Sequence, residues 1–443
     1  MERIGITGVG SRLQGVGKLA DGRAAFVPGA IPGEVVEVNI TREKGRFCEA
    51  SLCAVLEASP DRVSPACPHA GRCGGCQARH IRYERTLELK RQLVFDALTR
   101  VGGVETPNVF PTLGCAEPDR TRNKAEYPVA LRDGRVVAGA CAEGSREVIP
   151  LEDCLLQRKE SVRALRAVVG HLNALPFARH VRGIVTRVNR AGELMLVLCA
   201  DAPILPDVRR LSPALFAELP ELKSLYLCQL DRRPAHALDG RCTLVDGAPV
   251  LTDTLLGLTF ELAPQAFFQV NPPQAEALYE KALEAAGIAP GCGMNVLDAY
   301  CGAGTITLSA ASRGARSVTG IEIVPPAIEN ARRNAALNAL SDGTRFICDD
   351  AAREIPKLLA RGERFDAAIL DPPRKGCDDA LLNALIAAKL PRIAYVSCNP
   401  ATLARDVKTL ATGGYRLEWA QPVDMFPYTH HTECVVILTR AGL

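Results

Sequence analysis

A thiol and two carboxylates in the last third of the chain could carry out chemistry on a bound substrate. Apolar residues 393–396 run into the sequence SCNP at 397–400, which places Cys398 just ahead of a helix. The positive end of a helix favours an anion, so this spacing predicts that the Cys398 thiolate is favoured. Asp371 follows a neighbouring apolar segment, and Glu433 precedes another. Because strand ends of an α/β sheet meet in one cleft, we expect the three side chains to lie together.

A glycine-rich turn supplies a second group of candidate residues. The sequence DAYCGAGT at 298–305 follows an apolar strand, and Glu322 follows the next one. Glycines let a ligand approach the backbone, and a carboxylate about 20 residues later can hold both hydroxyls of a ribose. The turn lacks the third glycine of the dinucleotide fingerprint and instead resembles class I S-adenosylmethionine-dependent methyltransferases.

The segments that position these residues alternate between helix and strand patterns from about residue 273. This alternation predicts an α/β fold with a doubly wound, Rossmann-like sheet. The predicted helices span 274–286, 304–313, 326–338, 351–361, 378–388 and 400–411. The predicted strands span 295–299, 317–321, 344–347, 365–370 and 392–396. Earlier in the chain, the patterns predict an amphipathic helix over 84–100 and a β-hairpin with strands 181–188 and 194–200.

The N-terminal segment has a different character. Residues 1–58 contain short alternating segments broken by two Pro-Gly pairs, a pattern that predicts a small β-barrel. The paired glycines at 8–10 and 15–17 could suggest a phosphate loop. Because no strand and helix surround them, we interpret them as turns.

Length and composition define the class of protein. The 443 residues allow two to four domains of about 150 residues each. The composition, 47% hydrophobic and 23% charged, excludes collagen-like, coiled-coil and wholly disordered chains. No apolar run reaches the roughly 18 residues of a membrane span, and the start lacks the apolar core of a signal peptide. We therefore expect a cytoplasmic protein without membrane contact, whose 17 Cys serve metal binding or catalysis rather than disulfides.

Charge is distributed unevenly along the chain. Residues 1–190 contain 29 Lys and Arg against 21 Asp and Glu, whereas residues 191–443 contain 24 against 29. A basic N-terminal half favours a polyanionic partner, with nucleic acid as the first candidate. A solvated charged surface would explain the same imbalance.

Three cysteines are clustered as C-x5-C-x2-C at Cys67, Cys73 and Cys76. This grouping predicts a metal site, and three thiolates need a fourth ligand. Spacing leaves Cys115, Cys141 and Cys154 open as that ligand. The chemistry leaves structural zinc and an iron–sulfur cluster open as well.

Several motifs together resemble the RNA uridine-5 methyltransferases, the family of the tRNA and 23S ribosomal RNA 5-methyluridine enzymes. They are QAFFQVNP (265–272), DAYCGAGT (298–305), DPPRKG (371–376), SCNP (397–400) and MFPYTHHTE (425–433). The resemblance implies that Cys398 is the nucleophile and Glu433 the base. It also implies four contacts to S-adenosyl-L-methionine, namely Gln269, Tyr300, Glu322 and Asp371.

The resemblance extends to the N-terminal half. Members of the family hold a [4Fe–4S] cluster with three clustered cysteines and a distant one, which implies the ligand set Cys67, Cys73, Cys76 and Cys154. Residues 1–58 resemble the TRAM domain, an OB-like barrel. This divides the chain into the TRAM domain, a central α+β iron–sulfur domain at 59–270 and a catalytic domain at 271–443. The sequence RNK at 122–124 matches a basic motif of the family that implies phosphate contact, with a solvated charge run as the alternative.

The function implied is methylation of carbon 5 of a uridine through a covalent adduct between Cys398 and carbon 6. Family members with both a TRAM domain and a cluster act mostly on ribosomal RNA, so 23S rRNA is favoured over tRNA, and a monomer is expected. Two alternatives remain. Methylation of an adenine amino group uses a similar fold, but that reaction needs no thiol. Its motif after the fourth strand ends in Tyr or Phe, whereas the motif in this chain ends in Arg374. An inactive iron–sulfur RNA-binding protein would not need both catalytic residues.

Overall fold

The computed structural model describes residues 1–233, 235–440 and 442. The first 57 residues form a closed five-stranded barrel with strand order β1-β2-β3-β5-β4, which confirms the predicted barrel. Its strands are β1 (Glu2–Val9), β2 (Gly15–Lys18), β3 (Ala24–Val27), β4 (Val35–Lys44) and β5 (Phe47–Glu57).

The interpretation of the paired glycines as turns is right for Gly10, which begins the turn between β1 and β2, and wrong for the other three. Gly8 lies within β1, and residues 15–17 all lie within β2. A Cβ at Gly17 would stand 2.5 Å from the carbonyl oxygen of Gly5 on the neighbouring strand. Glycine is required there because the strands of this small barrel approach closely.

The predicted amphipathic helix is present as α1 (Tyr83–Arg100). Its buried residues Val94 and Leu98 belong to the same hydrophobic cluster as residues of the C-terminal sheet and helices. Although α1 precedes the central sheet in the chain, it therefore packs against the C-terminal part of the molecule.

A seven-stranded sheet occupies the middle of the chain, with order β12-β11-β10-β9-β6-β7-β8. Its strands are β6 (Lys124–Arg132), β7 (Arg135–Cys141), β8 (Val148–Pro150), β9 (Val181–Val188), β10 (Leu194–Ala200), β11 (Leu222–Leu230) and β12 (Gly240–Gly247). Strands β9 and β10 are the predicted hairpin. The helices α2 (Lys159–Leu172) and α3 (Leu205–Glu218) pack on one face. Residues of β10 and β11 on the other face pack against the C-terminal part.

The C-terminal part begins with a two-stranded sheet, β13 (Leu251–Leu255) and β14 (Leu258–Leu262), and continues as a doubly wound α/β sheet. Its strand order is β17-β16-β15-β18-β19-β21-β20. The strands are β15 (Asn295–Ala299), β16 (Ser317–Glu322), β17 (Thr344–Cys348), β18 (Ala367–Leu370), β19 (Arg392–Ser397), β20 (Tyr415–Val423) and β21 (Glu433–Arg440). The helices are α4 (Pro272–Ala286), α5 (Thr305–Arg313), α6 (Pro325–Leu337), α7 (Ala351–Ala360), α8 (Asp379–Ala388) and α9 (Pro400–Thr412).

This sheet confirms the predicted fold class. Alternate residues of its strands point into two separate hydrophobic clusters, one on each face. Strands β15 to β19 run parallel, whereas β21 is antiparallel to both β19 and β20. The sequence prediction missed β20. Because β21 runs in the opposite direction, it begins at the edge of the sheet where the parallel strands end.

In the part of the chain that the structure describes, no helix is long and apolar enough to cross a membrane.

Candidate active site

The reversed direction of β21 brings the predicted nucleophile and base together. Ser397 at the end of β19 pairs with Cys434 in β21. Cys398 directly follows that pair on one strand, and Glu433 directly precedes it on the other. The thiol and the carboxylate therefore lie side by side at the carboxyl edge of the sheet.

Asp371 reaches the same edge from β18, which neighbours β19. Its backbone NH donates to the carbonyl of Ala299 at 3.4 Å, which ties it to the end of β15. Burial raises the pKa of Asp371 to about 7. Strand order and strand direction therefore bring Cys398, Asp371 and Glu433 to the same edge of the sheet, as the sequence predicted.

Burial dominates the electrostatics of this site. Glu433 is 6% exposed, and its burial, together with the nearby Asp371, raises its pKa to about 8. Arg374 and Lys90 act in the opposite direction on Glu433. Burial, and next the Glu433 carboxylate, raise the pKa of the Cys398 thiol to about 11, while Arg374 opposes the rise. The expectation that the following helix favours the thiolate did not include this burial, which raises the pKa of the thiol.

The glycine-rich turn at 298–305 also contacts Glu322, the carboxylate that ends the second strand of this sheet. The NH of Gly302 donates to Glu322 Oε2 at 3.2 Å, and Glu322 Oε1 accepts from the NH of Val324 at 2.9 Å. Tyr300 has φ of 69°, held by a hydrogen bond from its NH to the carbonyl of Ile321 at 2.9 Å. The carboxylate that could hold a ribose is therefore fixed beside the turn that a nucleoside would approach.

Gln269 lies in the segment that leads into α4 and approaches the same cleft. Its Nε2 donates to the hydroxyl of Tyr279 at 3.3 Å, and Asp371 contributes to the raised pKa of that buried tyrosine, after the larger effect of burial. Asn123 holds the segment, since its Nδ2 donates to the carbonyl of Gln269 at 3.1 Å and its NH to that of Val270 at 2.8 Å.

The sequence RNK at 122–124 is therefore not a solvated charge run, since none of its three residues is fully exposed. Asn123 is 2% exposed and points inward. The guanidinium of Arg122 lies over the ring of Phe426 at 5.6 Å, and burial lowers its pKa. Lys124 pairs with Glu126 at 2.8 Å.

A second candidate site lies in the N-terminal half. A cavity of about 710 Å³ is lined by five cysteines, namely Cys67, Cys73, Cys76, Cys141 and Cys154. Cys115 lies elsewhere, with its Sγ 3.5 Å from the carbonyl of Asp424. The structure thus brings the four predicted ligands to one cavity, separates Cys115 from them, and keeps Cys141 nearby.

Two arginines also line this cavity. Arg79 and Arg122 both contact it, and each has a buried nitrogen without a hydrogen-bond partner among the described residues, Nη2 of Arg79 and Nε of Arg122. Within the described residues, no three Cys, His, Asp or Glu side chains converge closely enough to hold a single metal ion.

A doubly wound sheet with a glycine-rich turn and a carboxylate after the second strand is typical of nucleotide-binding α/β folds, and its acidic turn resembles that of the class I methyltransferases. The comparisons agree with this class. Residues 256–441 match the family described as tRNA (Uracil-5-)-methyltransferase, and residues 2–53 match the TRAM domain.

Related proteins extend the match to the whole chain. The chain is 39% identical over 433 residues to an uncharacterized RNA methyltransferase of Halalkalibacterium halodurans, covering 96% of this chain and 93% of that protein. It is 38% identical over 447 residues to another from Caldanaerobacter subterraneus, covering 99% and 97%. The solved tRNA (uracil-54, C5)-methyltransferase of Pyrococcus abyssi, in complex with S-adenosyl-L-homocysteine, has a TM-score of 0.75 at 26% identity, covering 99% of this chain and 100% of that one.

The chain belongs to the RNA (uracil-5-)-methyltransferase family and is an S-adenosylmethionine-dependent RNA methyltransferase. This assignment favours uracil over the adenine amino group that the sequence left as an alternative.

Proposed function

We propose that this enzyme transfers a methyl group from S-adenosylmethionine to carbon 5 of a uridine in RNA, through a covalent adduct between Cys398 and carbon 6 of the base. The observation that carries the proposal is the placement of Cys398 beside Glu433, with Asp371 at the end of the adjacent strand. The division at residues 58 and 270 into TRAM, central and catalytic domains belongs to the same proposal.

The chemistry needs a thiol because carbon 5 of uracil is too weak a nucleophile to react directly. Cys398, which is only partly buried, adds to carbon 6, and its proton passes to solvent as the carbon–sulfur bond forms. The ring becomes an enolate whose carbon 5 can attack an electrophile. S-adenosylmethionine, when bound, supplies that electrophile as a methyl group on a sulfonium. Arg374 favours this step, because its positive charge opposes the raised pKa of Cys398 and can stabilise an enolate oxygen.

Glu433 completes the reaction. After methylation its carboxylate takes the proton from carbon 5, and the electron pair of that carbon–hydrogen bond forms the double bond between carbons 5 and 6. As this double bond forms, the bond from carbon 6 to Cys398 breaks and the sulfur leaves as a thiolate, which recovers a proton from the Glu433 carboxyl. A uridine must leave its stack to reach these groups, because carbon 5 is inaccessible in a stacked base.

Gln269, Tyr300, Glu322 and Asp371 are proposed to hold S-adenosylmethionine. Glu322 is placed to accept from the ribose hydroxyls beside the glycine turn. The buried carboxyl of Asp371 lies towards Glu433, where the positive sulfonium would be favourable.

The five cysteines around the cavity support a [4Fe–4S] cluster held by Cys67, Cys73, Cys76 and Cys154. Burial is the main cause of the raised pKa of the Cys73 thiol. Among the neighbouring thiols that add to it, Cys154 has the largest effect. Zinc needs its four ligands at about 2.0–2.3 Å from one ion, whereas a cluster spreads its thiolates over several irons. Thiols that surround a cavity without converging on one point fit the cluster better. The unpartnered donors of Arg79 and Arg122 could hydrogen-bond to cluster sulfurs.

The cluster is proposed to have a structural role, because methyl transfer moves no net electrons. The residues next to Cys76 support this role, since the NH groups of Gln77 and Ala78 both donate to the carbonyl of Tyr428 at 3.0 Å. Tyr428 has φ of 59° and lies in the segment that leads to Glu433. A cluster that orders residues 67–76 would therefore support the active-site segment.

We expect Cys154→Ser to lose most of its iron after anaerobic purification, because it removes one of four ligands. Iron and acid-labile sulfide per protein, with the visible absorption spectrum, measure this. Cys141→Ser is the matched control in the same cavity and should retain the wild-type iron content. Full iron in Cys154→Ser, or zinc without sulfide in the wild type, would refute the assignment.

The substrate is proposed to be 23S rRNA, on the basis of the TRAM barrel together with the four-cysteine set. The solved Pyrococcus abyssi relative favours tRNA as the second candidate, because its name assigns it to a tRNA uracil and it covers the whole chain. The basic N-terminal half suits either RNA.

Nucleoside mass spectrometry separates these candidates. Unmodified 23S rRNA and tRNA transcripts are incubated separately with the anaerobically purified enzyme and S-adenosylmethionine. We expect 5-methyluridine in the 23S transcript only. Its appearance in tRNA only would replace the substrate, and its absence from both, with RNA binding intact, would favour an inactive binder.

A further inference from the structure

A lysine and an aspartate form a buried ion pair that the catalytic chemistry does not use. Lys90 lies on α1, and Asp424 begins the segment between β20 and β21. Neither side chain has any exposed surface. Lys90 Nζ donates to Asp424 Oδ1 and also to the carbonyl of Phe426 at 3.0 Å.

Further hydrogen bonds fix the same short stretch of backbone. The hydroxyl of Tyr83 donates to Asp424 Oδ2 at 2.7 Å and accepts from the NH of Cys115 at 2.7 Å. Asn271, two residues after Gln269, donates from Nδ2 to the carbonyl of Met425 at 3.1 Å. Three consecutive residues, 424–426, are thus tied to three other parts of the chain.

These residues begin the segment that ends at Glu433. The carbonyl of Phe426 also accepts from the NH of Thr429 at 3.2 Å and from the Thr429 hydroxyl at 2.9 Å. The hydroxyl of Thr429 accepts in turn from the NH of His431 at 3.2 Å. A shift of Lys90 or Asp424 would therefore be passed along a continuous set of hydrogen bonds towards Glu433.

Stability alone does not explain this pair. Removing two charges from water is costly, and an apolar pair of similar volume is often as stable or more so. A hydrogen-bonded ion pair is directional, whereas apolar contacts are not, so the ion pair fixes its two partners in one geometry. The position of this pair, at the start of the segment that carries the proposed base, gives that geometry a use.

We propose that Lys90 is a positioning residue for methyl transfer, which fixes residues 424–426 through Asp424 and the Phe426 carbonyl and thereby holds Glu433 beside Cys398. The inference rests on the proposed role of Glu433 as the base. It concerns a residue that contacts neither the RNA base nor the cofactor.

The charge of Lys90 also acts on Glu433. Burial raises the pKa of Glu433, and Lys90 and Arg374 oppose that rise, while Asp371 adds to it. Cys398, Tyr279 and the adjacent Cys434 also interact with the charge of Glu433. The base must be ionised, so activity is expected to fall as pH drops through about 8. Loss of the positive charge of Lys90 should move this fall to higher pH.

The double variant Lys90→Met/Asp424→Asn tests the inference. Removing Lys90 alone would leave a buried unpaired carboxylate and could prevent folding, whereas the double variant removes both charges and keeps an acceptor for Tyr83. The matched control is Lys281→Met/Glu284→Gln, which removes a surface ion pair at 2.6 Å on α4.

We expect the double variant to form the Cys398 adduct with RNA but to resolve it slowly. Release of methylated RNA should fall by about 10- to 100-fold, part of the roughly 10²- to 10⁴-fold that a positioned base contributes. The adduct should accumulate, and the acid limb of the pH profile for adduct resolution should move to higher pH. Tyr83→Phe, which removes only one hydrogen bond to Asp424, should show the same changes in smaller measure.

The outcomes separate the two levels of the argument. Wild-type adduct resolution and pH profile in both the double variant and Tyr83→Phe would overturn the role of Lys90 and leave the proposed function intact. Equal slowing of adduct formation and resolution, with the pH profile unchanged, would also overturn it. If the wild-type enzyme forms no adduct with RNA, the proposed function itself fails.

Discussion

Replacing Cys398 by alanine is expected to abolish methyl transfer while leaving RNA binding and S-adenosylmethionine binding unchanged. The thiol is the only group at the strand edge proposed to attack carbon 6, and without that attack carbon 5 stays unreactive. The loss should exceed about 10⁴-fold, because removing a covalent nucleophile disables the whole reaction sequence. Transfer of a labelled methyl group to RNA, with separate binding assays for RNA and cofactor, measures it.

Cys292→Ala is the matched control for this change. Cys292 is also partly buried, but it lies before β15, at the opposite edge of the sheet. It should keep wild-type activity. Methyl transfer at the wild-type rate by Cys398→Ala would contradict the covalent mechanism outright.

Replacing Glu433 by glutamine is expected to trap the methylated base on the enzyme. Glutamine keeps the shape of the side chain but cannot accept the proton from carbon 5. The thiol can still add and the methyl can still move, so the reaction should stop at the adduct, with turnover reduced by about 10²- to 10⁴-fold. The species is measured as a protein–RNA band that survives denaturation.

The control for this variant is Glu418→Gln. Glu418 lies on β20, and its carboxylate accepts from Arg416 and Thr439, away from the proposed base. It should turn over normally and leave no stable band. A Glu433→Gln enzyme that turns over at the wild-type rate, or loses activity without any band, would show that another group removes the proton.

The sequence predicted most of the C-terminal fold because its signals are local. Helix and strand patterns placed β15 to the residue, at Asn295–Ala299, and the other elements that it identified within about two residues. The sequence predicted that Glu433 and Cys398 share one cleft, but their side-by-side position could not follow from local pattern. It depends on β20, which was missed, and on the antiparallel direction of β21, both of which are set by pairing across the sheet.

Two interpretations of the sequence did not include the effect of burial. The helix after Cys398 suggested a favoured thiolate, but burial raises the pKa of the thiol instead. The sequence RNK at 122–124 was interpreted as a phosphate contact or a solvated charge run, but Asn123 is turned towards the Gln269 segment.

Lys90 carried a signal that could have been used. It lies four residues after Thr86 and four before Val94, on the stripe of α1 whose members are buried. A lysine on such a stripe needs a buried partner. The sequence alone did not identify that partner as Asp424, more than 300 residues away.

The measurement that tests the central claim most directly is peptide mass spectrometry of the adduct trapped by Glu433→Gln. After digestion of protein and RNA, we expect one modified peptide, containing Cys398 and carrying a methylated uridine. Attachment at another residue, or an adduct without the methyl group, would contradict the account in which Cys398 activates the base and Glu433 releases it.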